Sequence, residues 1–132
     1  MIAESFARLL GRPLVPETDD LVTALWLAPC AVVAHGMEDD PVFFFGNRAA
    51  LAAFDSDVAA FTAMPSRLSA ELMLREERQR LLDRVTACGF IDDYAGMRIS
   101  ASGRRFAIAD AVVWNLVDAG GLRHGQAACF AV

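Results

Sequence analysis

Lysine is absent from this chain of 132 residues, and all twelve of its basic residues are arginine. The formal net charge is -5 at pH 7. A protein that binds nucleic acid through phosphate contacts needs a basic face that displaces counterions. The acidic balance therefore argues against direct nucleic-acid binding.

Long hydrophobic runs are also missing, although 55% of the residues are hydrophobic. Charged and turn residues interrupt every apolar stretch before it reaches the ~18 residues that a membrane span needs. Residues 1–5 do not combine a basic start with an apolar stretch, so we expect no secretory signal and a cytoplasmic location. The surplus of apolar residues must enter a core, an internal cavity or an oligomer interface.

Cysteine is scarce, with single residues at Cys30, Cys88 and Cys129. An odd number without CxxC spacing predicts neither a disulfide framework nor a zinc site. The acidic doublets of the chain do not have metal-ligand spacing with any histidine cluster, so we expect no metal site. A reducing compartment fits this pattern.

Two short helices are predicted at the start of the chain, over residues 2–10 and from about residue 19 to Pro29, the second capped by Thr18 or Asp19. They form a predicted helical cap, residues 1–29, before a main unit of residues 30–132. A hairpin of strands 30–35 and 42–45 follows. Short helices at 48–54 and 55–63 lead to a longer helix over 70–87 that Ser69 can cap and Gly89 ends. Three strands follow, over 90–100, 104–118 and 122–132.

The most informative segment runs from Pro41 to Leu51. Its three phenylalanines predict a buried strand, and the alanine-rich residues after them predict a helix. Gly46 or Asn47 can take the left-handed conformation that a sharp exit needs. Asn47 can also cap the helix by accepting a backbone N–H.

The order of elements predicts an α+β fold. The first hairpin and the last three strands can join into one five-stranded antiparallel sheet, with helices on one face and a pocket between the two layers. We see no internal repeat and no linker, and the chain ends on its last predicted strand, so a signal would have to pass to a separate protein or through a dimer.

Short motifs spread along almost the whole chain resemble one family. They are His35-Gly36, Asp40-Pro41, Phe43-Phe44-Phe45-Gly46-Asn47, Pro65-Ser66-Arg67-Leu68-Ser69, Gly89-Phe90-Ile91-Asp92-Asp93-Tyr94, Gly96-Met97-Arg98-Ile99-Ser100, Gly103-Arg104-Arg105-Phe106, Val113-Trp114-Asn115-Leu116-Val117-Asp118 and Gly125-Gln126-Ala127-Ala128. The chain resembles the MEKHLA domain, a PAS-like module found in bacterial stand-alone proteins and in certain plant transcription factors. The resemblance implies a PAS-like fold that senses or docks rather than catalyses, and it identifies no cofactor.

The long fourth strand places Phe106, Ile108, Val112, Trp114 and Leu116 on one face if its alternation is regular. Asp110 falls on that same face. An aspartate among apolar neighbours must be paired, for example with Arg98, must anchor a ligand, or must sit in a bulge that turns it outward.

Tyr94 and Arg98 share a face of the preceding strand, and with Trp114 they can form a site for an anionic or planar ligand. A surface ladder of cross-strand pairs is the alternative. Arg67, just before a predicted helix, is a second anion candidate, or it pairs with a nearby carboxylate.

Cofactor signatures of better-known PAS groups do not match this chain. None of the cysteines lies in the motif of flavin–thiol photosensors. His35 and His124 are candidate haem ligands by residue type alone, and a structural histidine is the simpler interpretation.

Three functions remain open. The first is a small cytoplasmic sensory or ligand-binding module for an apolar or planar ligand, and the second is a homodimerising interaction module without a ligand. The weakest is an enzyme, because no activated nucleophile or acid–base pair can be recognised. The candidate ligand-binding residues are His35, Phe43, Phe45, Asn47, Leu51, Phe54, Tyr94, Met97, Arg98, Ile108, Asp110 and Trp114.

Overall fold

A five-stranded sheet dominates the computed structural model, which describes residues 1–70 and 75–132, with only the backbone of residues 75, 78, 79 and 82. The strands are β1 (Ala31–His35), β2 (Phe43–Gly46), β3 (Phe90–Ile99), β4 (Arg105–Val117) and β5 (Arg123–Phe130). The α-helices are α1 (Ile2–Leu10), α2 (Leu21–Leu27), α3 (Arg48–Ala53), α4 (Val58–Phe61) and α5 (Arg75–Cys88), and a 3₁₀ turn spans Ser66–Ser69.

The strand order is β2-β1-β5-β4-β3, and every neighbouring pair is antiparallel. The first hairpin and the last three strands are therefore joined through β1 and β5, as the sequence predicts. The predicted α+β class is confirmed. The boundary between residues 1–29 and 30–132 stays a prediction.

The two faces of the sheet carry different helices. The front face presents Val33, Ile108 and Phe130 to α3 and α4. The back face presents Val32 and Trp114 to α1. Both faces are apolar, which explains the high hydrophobic content of the chain.

A bulge in β4 reverses which face of the sheet its alternating side chains point to. Asp110 has a left-handed φ of 53°, and the register passes from Gly96↔Ile108 to Tyr94↔Ala111 across it. Ile108 therefore faces the front, whereas Trp114 faces the back. The prediction that Phe106, Ile108, Val112, Trp114 and Leu116 share one face is wrong, because the extra residue of a bulge reverses the alternation. Of the alternatives for Asp110, the outward-turning bulge is confirmed, and its side chain is exposed.

A second irregularity, in the pairing of β1 with β2, places alternate residues of β2 on opposite faces of the sheet. Ala34 pairs with Phe45 but His35 pairs with Phe43, so Phe44 has no partner in β1 and is 51% exposed. Phe43 packs in the front cluster and Phe45 packs against the back cluster. The expectation that Phe43 and Phe45 line one pocket is wrong for the same physical reason.

Asn47 caps α3 as predicted, since its side-chain oxygen accepts a hydrogen bond from Ala50 N at 3.0 Å. The left-handed exit is not present. Asn47 is extended, with φ -77° and ψ 178°, and Gly46 does not have a positive φ. Gly46 is required for space instead, because a Cβ there would lie 2.7 Å from the Phe61 ring.

Other helix ends differ in part from the prediction. Asp20, rather than Thr18 or Asp19, caps α2 by accepting from Thr23 N at 3.2 Å. Gly89 follows α5 with a φ of 80°, as predicted. Ser69 closes the 3₁₀ turn instead of capping a helix at residue 70. Residues 71–74, near the start of the helix predicted over 70–87, lie outside the described residues.

Candidate functional site

An aromatic cluster fills the front of the sheet beneath α3 and α4. Phe54 is 1% exposed and lies 5.6, 5.3 and 6.2 Å from the ring centroids of Phe61, Phe106 and Phe130. Phe43 stacks on Phe61 with centroids 4.3 Å apart. The pocket that the sequence predicts between these layers is occupied at this end by the chain's own side chains, a close-packed core.

Arg98 lies beyond this cluster on the front face, opposite Phe106 in the register. Its Nη1 donates a hydrogen bond of 3.4 Å to Ser69 Oγ, and the backbone of Ala70 bridges to Arg98. Its Nε is inaccessible to water and has no hydrogen-bond partner among the described residues. The guanidinium thus faces inward with a donor unused.

The charge of Arg98 is unusual because Arg98 is at least half-buried and its Nε is shielded from water. Burial lowers the pKa of the Arg98 guanidinium, while the electrostatic effect of Tyr94 acts to raise it. A guanidinium remains protonated in proteins, and removing a cation from water without a counter-charge costs several kcal/mol. Residues 1–70 and 75–132 place no carboxylate in an ion pair with Arg98.

Tyr94 forms the aromatic side of this site. The Arg98 Cζ lies 5.5 Å from the centre of the Tyr94 ring, within the range of a cation–π contact. Gly96 makes this arrangement fit, because a Cβ at that position would meet the Tyr94 hydroxyl at 2.9 Å. The predicted shared face of Tyr94 and Arg98 is confirmed, but Trp114 is not part of it.

His35 ends β1 on the front face, with its ring centroid 6.4 Å from that of Phe43. Its Nδ1 donates to Gly36 O at 2.9 Å, since a carbonyl only accepts, and Nε2 is then the acceptor of the neutral ring. Burial lowers the pKa of His35, and the positive charges of Arg123 and Arg98 lower it further against the opposing effects of the Gly36 carbonyl and Glu38. His35 is consequently a neutral polar group near neutral pH.

The remaining candidates lie apart from Arg98. Trp114 is fully buried on the back face, where its Nε1 donates to Ile2 O at 3.2 Å and its ring meets Phe6 edge-on at 4.9 Å. Met97 alternates with Arg98 and so faces the back. Phe45 also packs on the back, and Asp110 points to solvent.

Asn47 is buried and its side chain is fully used within the fold. Its Oδ1 accepts from Val32 N and Ala50 N, and its Nδ2 donates to Leu25 O and Cys30 O, at 2.9 to 3.0 Å. No donor or acceptor of this amide is left for a ligand. Its position identifies Asn47 as a structural residue.

A separate apolar cleft of about 210 Å³ opens between α2, β2 and α4. Phe44, Val58 and Trp26 are among its lining residues, together with Leu51 from α3. Val58 is 54% exposed here. The volume is below the ~300 Å³ of ordinary ligand pockets and suits a single side chain or a very small molecule.

Other expected sites are resolved by ordinary pairing. Arg67 binds Asp40 through Nε at 3.0 Å, which confirms the carboxylate alternative. His124 contacts Asp118 at 2.8 Å in the β4–β5 turn.

Across residues 1–70 and 75–132, no three metal-ligating side chains gather. In the same part of the chain, no helix is both long and apolar enough to cross a bilayer.

Sequence reasoning missed Ser69 and Gly96 as parts of the Arg98 site. Ser69 is fully buried and its Oγ donates to Ser66 O at 2.6 Å. The sequence presented Ser69 as a helix cap, and only the chain path brings it to Arg98. Gly96 lies two residues from both Tyr94 and Arg98, so alternation along the strand places it on the same face of the sheet as these two residues. Because glycine has no side chain, it leaves space between them.

Solved structures with the same fold include several sensory domains. A PAS domain from Colwellia psychrerythraea superposes with a TM-score of 0.71 at 10% identity, covering 84% of this chain and 92% of that one. The light-state dimer of the fungal blue-light photoreceptor Vivid gives 0.66 at 10% identity, with coverages of 99% and 93%. The PAS domain of a LuxR-family transcriptional regulator from Burkholderia thailandensis, in complex with ethanol, gives 0.65 at 21% identity, with coverages of 83% and 95%.

These identities establish a shared PAS fold and nothing about ligands. A comparison with curated protein sequences finds no match. The sequence profile of the MEKHLA domain matches residues 1–132, the whole chain. The chain therefore belongs to the MEKHLA domain family, and it has the PAS fold.

Proposed function

We propose that this domain is a cytoplasmic sensory module that binds a small organic anion at Arg98. The observation that carries the proposal is the Arg98 guanidinium, whose buried Nε has no partner among the described residues. A ligand carboxylate would accept from Nε and a terminal nitrogen together, the bidentate geometry that arginine favours. Tyr94 would contact the ligand's apolar or planar part, and His35 Nε2 would offer an acceptor.

The aromatic cluster supports a small ligand rather than a large cofactor. Phe43, Phe54 and Phe61 occupy the front of the sheet beneath α3 and α4. The ligand is then confined to the end of the front face where β3 meets the 3₁₀ turn. Binding there would pull β3 and that turn together through Arg98 and Ser69, and a separate protein would read this change.

The test compares an aromatic carboxylate with its neutral analogue. Benzoate should raise the Tm of the wild-type protein and benzamide should not, because only benzoate supplies the missing charge. Arg98→Gln should abolish the benzoate effect. Arg48→Gln is the matched control, since it removes the same charge at an exposed position of α3. Equal stabilisation of the Arg98→Gln protein by benzoate would contradict the proposal.

A second variant tests whether Arg98 is neutralised by an external ligand or by a carboxylate of the chain itself. Glu71 follows Ala70 in the sequence, so it is the first acidic residue along the chain after the residue whose backbone bridges to Arg98. If Glu71 neutralises Arg98, Glu71→Gln should lower stability and create benzoate binding that the wild-type protein lacks. If Arg98 serves an external anion, Glu71→Gln should leave benzoate binding unchanged. Native mass spectrometry of the purified protein would show any retained anion.

A homodimerising module is the second candidate. Phe44 is exposed on β2, an edge strand, and it borders the apolar cleft with Val58 and Trp26. Exposed apolar groups at an unpaired sheet edge favour association. Vivid, which shares the fold, forms a dimer in its light state.

Light scattering over a concentration series tests this candidate. Association should strengthen with concentration, and Phe44→Ser should abolish it. Leu122→Ser is a matched control, because Leu122 is 65% exposed in the β4–β5 turn, away from the cleft. A strict monomer at every concentration would exclude the homodimer.

A further inference from the structure

The thiols of Cys30 and Cys129 meet on the back face of the sheet. Val32 pairs with Cys129 across β1 and β5, and Cys30 precedes Val32 by two residues. Both cysteines pack against the back-face cluster around Val32, and neither is in a disulfide. The Cys30 and Cys129 side chains are close enough for a thiol–thiol hydrogen bond that shifts the pKa of both groups.

The position of the pair allows a bond between the two sulfurs. Diagonal neighbours across antiparallel strands have Cα atoms about 7–8 Å apart, slightly beyond the usual disulfide range of about 4.4–6.8 Å. Cys30 lies just before β1 begins, outside the ladder, and closing this gap requires a backbone shift at Cys30, whose carbonyl accepts a hydrogen bond from Asn47 Nδ2. Both residues are partly exposed, so a small oxidant can reach them.

We propose that Cys30 and Cys129 form an oxidation site in which a hydroperoxide converts the two thiols into a reversible disulfide. The proposal concerns the back face and does not depend on anion binding at Arg98.

The chemistry proceeds in two steps that need no other reactant. The Cys30 thiolate attacks the terminal oxygen of the hydroperoxide, the O–O bond breaks, and Cys30 becomes a sulfenic acid, while the released hydroxide or alkoxide takes a proton and leaves as water or an alcohol. The Cys129 sulfur then attacks the sulfenic sulfur. The S–S bond forms as the S–O bond breaks, and the hydroxyl leaves as water with the Cys129 proton. The thiols are oxidised and the peroxide is reduced.

The electrostatics assign the roles of the two cysteines. The hydrogen bond from Cys129 lowers the pKa of Cys30 and, with burial, raises the pKa of Cys129. Because the thiolate is the nucleophile, Cys30 attacks the peroxide and Cys129 resolves the sulfenic acid. The guanidinium of Arg12, which lies over the Phe6 ring of α1, acts on Cys129 in the opposite direction and favours its deprotonation during the second step.

The experiment uses the full chain with Cys88→Ser, which removes the exposed third thiol. After brief treatment with hydrogen peroxide, neither Cys30 nor Cys129 should react with an alkylating reagent, and the mass of the protein should be lower by two hydrogen atoms. On a denaturing gel without reductant, the protein should run as a single chain. Peptide mapping should join Cys30 to Cys129. The bridge closes a long loop, so Tm should rise by about 5 °C or more and return on addition of dithiothreitol.

Single variants test the two roles. Cys129→Ser should stop at a sulfenic acid on Cys30 that dimedone traps, and Cys30→Ser should leave Cys129 reduced at the same peroxide dose. Phenylarsine oxide, which bridges adjacent thiols, gives a second measurement on the protein with both cysteines. The proposal fails if both thiols remain alkylatable at the dose that oxidises Cys30 in the Cys129→Ser protein, if neither oxidises, or if the arsenical binds only one thiol.

Discussion

Asn47 and Val32 exchange two hydrogen bonds. The backbone N–H of Asn47 donates to Val32 O at 3.0 Å, and Val32 N donates to the Asn47 side-chain oxygen at 2.9 Å. The asparagine thus extends the pairing of β1 beyond the end of β2, while the same oxygen caps α3. Through its amide nitrogen it also holds Leu25 and Cys30. One buried side chain fixes how the chain turns from strand to helix.

The first prediction concerns that side chain. Asn47→Ala should lower the free energy of unfolding by about 2–4 kcal/mol, because it removes the acceptor of the Val32 and Ala50 N–H groups and a donor to the Leu25 and Cys30 carbonyls. Asn115→Ala should cost less than about 1 kcal/mol, since the Asn115 side chain makes one long bond, of 3.4 Å to Val85 O, within the described part of the chain. Urea denaturation measures both values, and equal losses would contradict the structural role of Asn47.

The second prediction concerns the contact between Gly46 and Phe61. Gly46→Ala should lower the free energy of unfolding by about 1–3 kcal/mol, because the new methyl group overlaps a ring packed in the core. In a Phe61→Leu background the added cost should be smaller. Gly120→Ala is the control, as its Cβ would meet only Asp118 Oδ1 at 3.4 Å. Additive effects of Gly46→Ala and Phe61→Leu in chemical denaturation would exclude the overlap.

The third prediction concerns the bulge at Asp110. Asp110→Gly should raise the free energy of unfolding by up to about 1 kcal/mol, because glycine adopts a φ of 53° without strain. Asp110→Val should lower it by about 1–3 kcal/mol, since a β-branched residue disfavours that conformation. Ala109→Val, at the exposed neighbour, should change it by less than about 0.5 kcal/mol. Thermal unfolding should give the highest Tm for Asp110→Gly, an intermediate Tm for Ala109→Val and the lowest for Asp110→Val, and a stable Asp110→Val protein would contradict the assigned bulge.

The fourth prediction concerns pH and His35. The folded-state pKa of His35 lies below its unfolded value of about 6.5, so the unfolded chain binds the proton first as the pH falls. Stability should therefore be complete above about pH 7 and decrease below about pH 6.5. His35→Gln should flatten this decrease, and Arg98→Gln should reduce it in part by removing a positive charge that lowers the pKa of His35.

His124→Gln provides the control for that experiment. His124 is the other histidine of the chain and lies exposed beside Asp118. Urea midpoints measured between pH 5 and pH 8 should keep their dependence on pH in this variant. If His35→Gln leaves the pH dependence unchanged as well, His35 does not titrate with an altered pKa.

Much of the fold follows from local sequence signals. Gly89 ends α5 and Asn47 begins α3, as their residue types predict. The order of the elements predicts the five-stranded antiparallel sheet, because short connections join neighbouring antiparallel strands. The shared face of Tyr94 and Arg98 also follows from simple alternation along β3, since the extra residue at the register shift between Tyr94 and Gly96 lies in β4.

The candidate site was predictable only in part. Alternation along β2 and β4 assigned Phe45 and Trp114 to the same pocket as Phe43 and Ile108. The extra residues near Phe44 and at Asp110 reverse that assignment. An aspartate in a strand hinted at one bulge, but three consecutive phenylalanines gave no sign of the other.

The sequence alone determined the fold class, the family and the presence of an arginine–tyrosine pair, because periodicity, capping residues and turn residues act over a few neighbours along the chain. The tertiary structure decided which side of the sheet each residue faces and which distant groups meet. Ser69 reaches Arg98, and Cys30 reaches Cys129, only after the sheet closes. Contacts between residues far apart in sequence depend on register and bulges, and these are set by the packing of both faces at once.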